Sequence, residues 1–487
     1  MKRDRRTIAW GRSGPVRWLV TSPRRWGLPL VAAIAVAAPI AFAVLRHPTP
    51  QVRAIEIITD PSPSSQVSTG TDVTTPDPSP SPTTSSEVQA PPTAHDPTPE
   101  ANGPSKWAEV SANGRYVAFS SAATNLTPDD VNGATDVFWR DRTLKRTILV
   151  SRSPSGEPLP TSSGVASMSG DGQVVAFVQY DMKVLPPGGI GEPMAQPIAW
   201  YLMNVPTRTV RTIELPKDAH GMQLSYDGGS ATVSAGPLRS GMVFFIDLTT
   251  DDSTPVSVST DGERGNDDSW GGSMSRDTRY IVFDSDATNL VADDTNGARD
   301  VFLRDRIAGR TTRVSVTSSA EQADGMSMEG LISDDGSWIF FMSAASNLSD
   351  PSCGDPDPNG WHWTTFVRDR TAGTVETLSE GHHTLCQGVG SLSRDASRLL
   401  LGVGYANLRV LDRTTGNATR VLSCPADEPG ETGDDPAMLP DMSAGGYQVV
   451  SGTTCALVES DSNHVADIYL FDLGPGTTER VSVPDGT

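Results

Sequence analysis

Four acidic loops carry the residues best suited to hold an ion. They are Asp129, Asp130, Asn132 and Asp136; Asp293, Asp294, Asn296 and Asp300; Asp355, Asp357 and Asn359; and Glu459, Asp461, Asn463 and Asp467. Alternating carboxylate and amide oxygens around a sharp turn suit Ca²⁺, a hard cation that takes oxygen ligands. In the first two loops Pro128 and Ala292 stand where a first oxygen is expected, and no bidentate Glu follows. The third and fourth loops are therefore the better Ca²⁺ candidates. The competing reading is a solvated Asn-Gly turn with Asp as a turn former. No other cofactor is indicated.

Catalytic patterns are sparse. No Gly-x-Ser-x-Gly nucleophile elbow occurs, so peptidase chemistry is not expected. The stretch Ser333-Asp334-Asp335-Gly336-Ser337-Trp338 comes near a sialidase box but has the wrong spacing. His362, His382 and His383 would need free thiols from Cys353 and Cys386 to ligate Zn²⁺, and the spacing matches no zinc module. Trp338, Trp361 and Trp363 would form either a ligand platform or packing inside the sheet framework. The chain is read as a non-enzyme.

The elements that position these residues are repeats. Residues 116 to 151 match residues 280 to 315 at 22 of 36 positions, at a constant offset of 164. Each copy runs from Tyr through an apolar stretch to Phe, then Ala-Thr-Asn-Leu, Asp-Val-Phe-x-Arg-Asp-Arg and Val-Ser. A shorter turn recurs seven times: at Asn113-Gly114, Asp171-Gly172, Asp227-Gly228, Asp277-Thr278, Asp335-Gly336, Asp395-Ala396 and Gly445-Gly446. Periods of 50 to 60 residues mean a propeller or a similar array. Each unit reads as four antiparallel strands, and seven such units predict a seven-bladed all-β propeller over residues 107–487. The second unit carries a Pro/Gly-rich insert from Pro186 to Pro197, and the third lacks the long second loop.

The Ser-x-Asp-Gly turn, the Asp-Val-Phe-x-Arg-Asp strand and the closing Arg-Val-Ser resemble the WD-repeat-like propellers of the TolB type. That resemblance implies the fold, and with it roles in periplasmic or cell-surface binding, or as accessory domains of serine peptidases. Propeller topology brings the loop between strands two and three to the same face as the loop into the next unit. On that basis Cys353 is expected to pair with Cys386, and Cys424 with Cys455.

The formal charge of −21 hides a division. Residues 1 to 46 hold nine basic side chains and one acid, and the remainder sums to −29, which excludes nucleic acid as a main partner. The basic head, 1–26, precedes nineteen uncharged residues, 27–45, long enough to span a bilayer. The positive-inside rule then places the acidic part outside. Ala41-Phe42-Ala43 also fits a signal-peptidase site, so secretion after cleavage near Ala43 is the alternative. Residues 47–106 hold 13 of 38 prolines and read as a disordered Pro/Ser/Thr stalk.

The expectation is a single-pass, monomeric envelope protein that binds cell-envelope proteins or glycans. The alternative is an extracytoplasmic hydrolase or lyase acting on polysaccharide. Its sign would be an Asp or Glu pair with an Arg converging at the channel mouth.

Overall fold

The computed structural model describes residues 99–182, 195–237, 239–348, 362–380, 383–384, 389–402, 408–422, 440–463 and 465–486. The segment 27–45 expected to span a membrane, the expected stalk up to residue 98, and Cys353, Asp355, Asp357, Asn359, Cys386 and Cys424 lie outside them. Among the described residues, no helix is long and apolar enough to cross a membrane.

Six of the seven repeated turns share one hydrogen-bond pattern, and this explains why their residues recur; in the seventh, Gly445 stands at the Asx position and Ser443 Oγ donates to Gln448 at 2.8 Å. Ser333 Oγ donates to Asp335 Oδ1 at 2.6 Å, Asp335 accepts the Ser337 N–H at 2.9 Å, and the Trp338 N–H donates to Ser333 Oγ at 3.0 Å. The Ser-to-Asx bond repeats at Ser111, Ser169, Ser225, Ser275 and Ser393. The next residue is left-handed, with Gly172 at φ 72°, a conformation glycine adopts without penalty. At Gly172 there is a second constraint: a Cβ would lie 2.4 Å from Tyr116 of the preceding unit.

Each unit forms a four-stranded meander, seven in all among the described residues, with strands paired in chain order. The first blade comprises Ser105–Val110, Tyr116–Ser121, Asp136–Asp141 and Arg146–Leu149, all antiparallel. It opens at Ser105, two residues ahead of the expected boundary at 107, because Ala101 and Ser105 are already buried against its neighbours. In the second blade the expected insert is shorter than the sequence implied. Strands Val174–Met182 and Ala195–Asn204 stay paired out to Met182 and Ala195, which takes Pro197 into the ladder.

The core is a ring of seven interfaces between blades. Val117 and Phe119 face the seventh blade while Ala118 faces the second, and Ile281, Phe283 and Val282 divide in the same way. A strand buried on both faces must read as a continuous apolar run, as these do. The last blade is built wholly from the chain's end, Asp441–Met442 through Thr477–Arg480. Closure therefore relies on packing and hydrogen bonds rather than on a shared sheet. Val450, Ile468 and Leu470 pack on Phe119 and Phe138. The Ala444 N–H donates to Ala112 O at 3.1 Å, and the Ser105 N–H to Ala466 O at 2.7 Å.

Candidate functional site

The innermost strands enclose an axial channel. At one end the turns are linked by backbone bonds, Ala112 to Gly170, Asp171 to Tyr226, Arg276 to Asp334, Asp334 to Arg394 and Arg394 to Ala444, at 2.7 to 3.3 Å. A cavity of about 480 Å³ lies within this ring, bordered by Glu109, Arg276, Asp334, Arg394 and Asp441. It adjoins a chamber of about 850 Å³ through Met222 and Gln223, which line both. The chamber sets Met222, Trp270, Leu331 and Met342 beside Asp284 and Glu329.

Neighbouring inner strands are stapled at one repeated position. The Leu224 N–H donates to Ser167 Oγ and the Ile332 N–H to Ser273 Oγ, each at 3.1 Å. Glu109 and Asp441 occupy the same position in the first and seventh blades. Glu109 accepts the Met168 N–H, and Asp441 accepts the Val110 N–H at 3.0 Å and the Ser391 hydroxyl at 3.1 Å. Ser167 and Ser273 make the same staple without a charge, so the two carboxyls bring acidity that stapling does not require. Burial, then the neighbouring Asp441, pushes Glu109 up to about 8, and burial raises Asp441 as well. One proton thus stays on the pair at neutral pH. Arg276 lies 3.3 Å over the Tyr226 ring and 3.4 Å from Asp334, which Arg394 approaches to 3.3 Å. The carboxyl pair and arginines sought at the channel mouth therefore line one cavity.

Deeper in the wheel, burial raises Asp284 to about 6, against the pull of Arg299. Arg299 stacks 3.7 Å over Trp270 and pairs with Asp286 at 2.9 Å. Trp338 packs into the interface of the fifth and sixth blades under Arg413, 4.4 Å away, so its role is blade packing. Cys455 is buried and disulfide-bonded, and the two pairings expected from topology involve positions outside the described residues.

Of the acidic loops, the structure describes three. In the fourth blade Arg313 lies 3.3 Å from Asp294 and 3.4 Å from Asp300. In the seventh, Arg480 lies 3.6 Å from Asp467 and 3.7 Å from Glu100, while Tyr469 Oη donates to Asp461 at 2.5 Å. A guanidinium thus already stands beside the Asp467 candidate, and a tyrosine hydroxyl on Asp461. Asn463 is a turn former, accepting the Val465 N–H at 2.8 Å and donating to Ala101 O. In the first blade, burial raises Asp130 and lifts Asp136 to about 6; Asn132 moderates both shifts, and Ser151 donates to Asp136 at 2.5 Å. Among the described residues no group of three or more His, Cys, Asp or Glu side chains is arranged to hold a metal.

No family model matches the sequence, and no curated protein does. Solved structures do share the arrangement. An oligogalacturonate lyase in complex with manganese is 12% identical, at a TM-score of 0.49 over 76% of this chain and 90% of that one. TolB from Acinetobacter baumannii is 15% identical, at a TM-score of 0.37 over 66% of this chain and 64% of that one. The fold is a seven-bladed β-propeller of four-stranded blades. The β-propeller domain of the Trilobed protease from Pyrococcus furiosus, with an open velcro topology, is 11% identical, at a TM-score of 0.46 over 78% of this chain and 97% of that one. These likenesses concern fold alone.

The sequence reading did not reach Glu109, Asp441, Arg276 or Arg394 as site residues. The signal was present in the repeats: the penultimate residue of each inner strand reads Glu109, Ser167, Gln223, Ser273, Leu331, Ser391 and Asp441. Only the first and seventh blades, adjacent in the closed ring, carry an acid there.

Proposed function

We propose that the protein is a non-catalytic binding propeller of the cell envelope. Residues 27–45 anchor it, the basic head stays in the cytoplasm, and the Pro/Ser/Thr stalk carries the wheel outward. A stalk of this kind reaches on the order of 190 Å at about 3.1 Å per residue. Disulfides Cys353 to Cys386 and Cys424 to Cys455 fasten the rim.

The axial chamber of about 850 Å³ carries the binding reading. It is concave, of ligand-site size, and combines an apolar wall with a few fixed polar groups. The occupant that suits it is an extended segment of an envelope protein, or a glycan presenting its apolar ring face to Trp270. Capture of envelope components by the purified protein tests this, with Met222→Arg and Met342→Arg expected to abolish capture. Capture unchanged in both variants would remove the chamber from the account.

A second reading has its own observation. Glu109 retains a proton beside Asp441, with Arg276 and Arg394 on the same cavity. A neutral carboxylic acid near a carboxylate is the equipment of a glycan hydrolase or lyase. Depolymerisation of a cell-wall or extracellular polysaccharide, lost in Glu109→Gln and Asp441→Asn, would establish that reading; no turnover across a polysaccharide panel would leave the binding role.

A further inference from the structure

Three blades carry the same loop, and its buried carboxyl pair faces a different neighbour in one of them. The pairs are Asp130 and Asp136, Asp294 and Asp300, and Asp461 and Asp467, all in the same places relative to the third strand. In the fourth and seventh blades the residue ending the outermost strand is arginine, Arg313 or Arg480, within ion-pair distance of the carboxylates. In the first blade that residue is Leu149, buried in the interface with the seventh blade.

The other donors are missing there too. Gln322 donates to Asp294 at 3.0 Å, and the position matched by the same isolated bridge in the first blade is Pro158, which has no amide to offer. Tyr469 donates to Asp461, whereas the first blade has Phe138. Arg152 pulls on Asp136 only from a distance, because its guanidinium is paired with Asp129 at 2.6 Å.

One change runs the opposite way. Where the fourth and seventh blades place Val291 and Val458, the first has Thr127, on the turn closed by the Asp130 N–H to Thr127 O. Thr127, Asp130 and Asp136 are 5%, 7% and 0% exposed. Thr127 Oγ1, both Asp130 carboxyl oxygens and Asp136 Oδ2 have no partner at hydrogen-bond geometry among the described residues, and Asn132, which faces both carboxyls, is neutral and brings no charge. Four oxygen atoms without such a partner, where sister blades hold a guanidinium, call for a positive charge from outside the chain.

We infer that Asp130, Asp136 and Thr127 form a cation site in the first blade, filled by Ca²⁺, which replaces the arginine of the fourth and seventh blades. Three side chains supply four oxygens, and water completes a shell of six to eight. Two carboxylates in a site reached from the rim suit a millimolar or submillimolar cation of the kind that extracellular modules use. The ion would sit under the interface where the wheel closes, so it would reinforce the joint between the first and last blades.

The test is thermal melting of the full-length protein after chelator treatment, with CaCl₂ added back. Wild type is expected to gain about 2–5 °C at 5 mM Ca²⁺, the scale of a ligand well above its Kd. Leu149→Arg restores the built-in cation: its Ca²⁺-free melting point should equal or exceed that of wild type, and its response to Ca²⁺ should vanish. Asp136→Asn gives a second reading if the arginine does not fit, keeping the hydrogen bond from Ser151 while losing the response. A wild-type melting point unmoved by Ca²⁺ up to 10 mM overturns the site, as does a response that persists in both variants.

Discussion

Replacing Glu109 by glutamine should make the protein more stable at alkaline pH and leave it unchanged at acid pH. Burial and Asp441 raise the Glu109 carboxyl from 4.5 to about 8. Between those values the folded chain holds a proton that the unfolded chain has lost, so stability falls as pH rises through this window. At pH 7 the displacement of about 2.5 units corresponds to about 3.5 kcal/mol at about 1.4 kcal/mol per unit. Glu109 keeps partial contact with channel water, which lowers the expectation to about 2 kcal/mol. Glutamine has the same shape and still offers an acceptor to the Met168 N–H, so the change isolates the charge. Asp305 and Asp412, held below their ordinary values by Arg279 and Thr414 respectively, lose their contribution only as pH drops through the acid range, outside this window. Guanidinium unfolding of both proteins at pH 4.5 and pH 8 reads the effect as a difference in midpoint at constant slope. Equal midpoints at pH 4.5 and a higher midpoint for Glu109→Gln at pH 8 are expected. Parallel pH profiles would refute the buried, proton-holding pair.

Three further outcomes follow from the wheel's construction. Gly172→Ala should cost about 2–4 kcal/mol, because left-handed backbone and the Tyr116 ring both resist a Cβ; Gly156→Ala, left-handed but in open space, should cost only about 1–2 kcal/mol in the same denaturant titration. Ser333→Ala leaves the Trp338 N–H without its acceptor and removes one of the two hydroxyls that donate to Asp335, a loss of about 1–3 kcal/mol by urea unfolding. Cys455→Ser should lower stability by about 2–4 kcal/mol and remove the effect of reductant on the melting curve.

The repeat was readable because one local solution is used in six of the seven blades. Ser333, Asp335 and Gly336 close a turn with their own side chains and backbone, so selection for the turn leaves its residues in the sequence. The continuous runs at Val117 to Phe119 and Ile281 to Phe283 were legible for a similar reason: burial between two blades removes the usual alternation.

The channel was not readable in that way. Glu109 and Asp441 meet only because the ring closes, and the repeat shows them only as two acids at one variable inner-strand position. Pro197 entered a ladder that a Pro/Gly-rich stretch does not announce, since the long β-rich arms on both sides extend the hairpin. Among the acidic loops, spacing favoured those at Asp355 to Asn359 and Glu459 to Asp467, and spacing says nothing of Arg480, which comes from another strand. The same offset of 164 that revealed the repeat also places Leu149 opposite Arg313 and Thr127 opposite Val291. Differences between the copies carried the information about the site, and identities carried the fold.

Site-specific photocrosslinking in the native envelope tests the binding role most directly. A photoreactive side chain at Met222 in the axial chamber, compared with one at Ile307 on an exposed outer turn, reads which surface a partner meets. The account predicts a discrete crosslinked species from position 222, lost when Met342 is changed to arginine, and none from position 307. Crosslinks from position 307 alone, or from position 222 undiminished by the Met342 change, would contradict it.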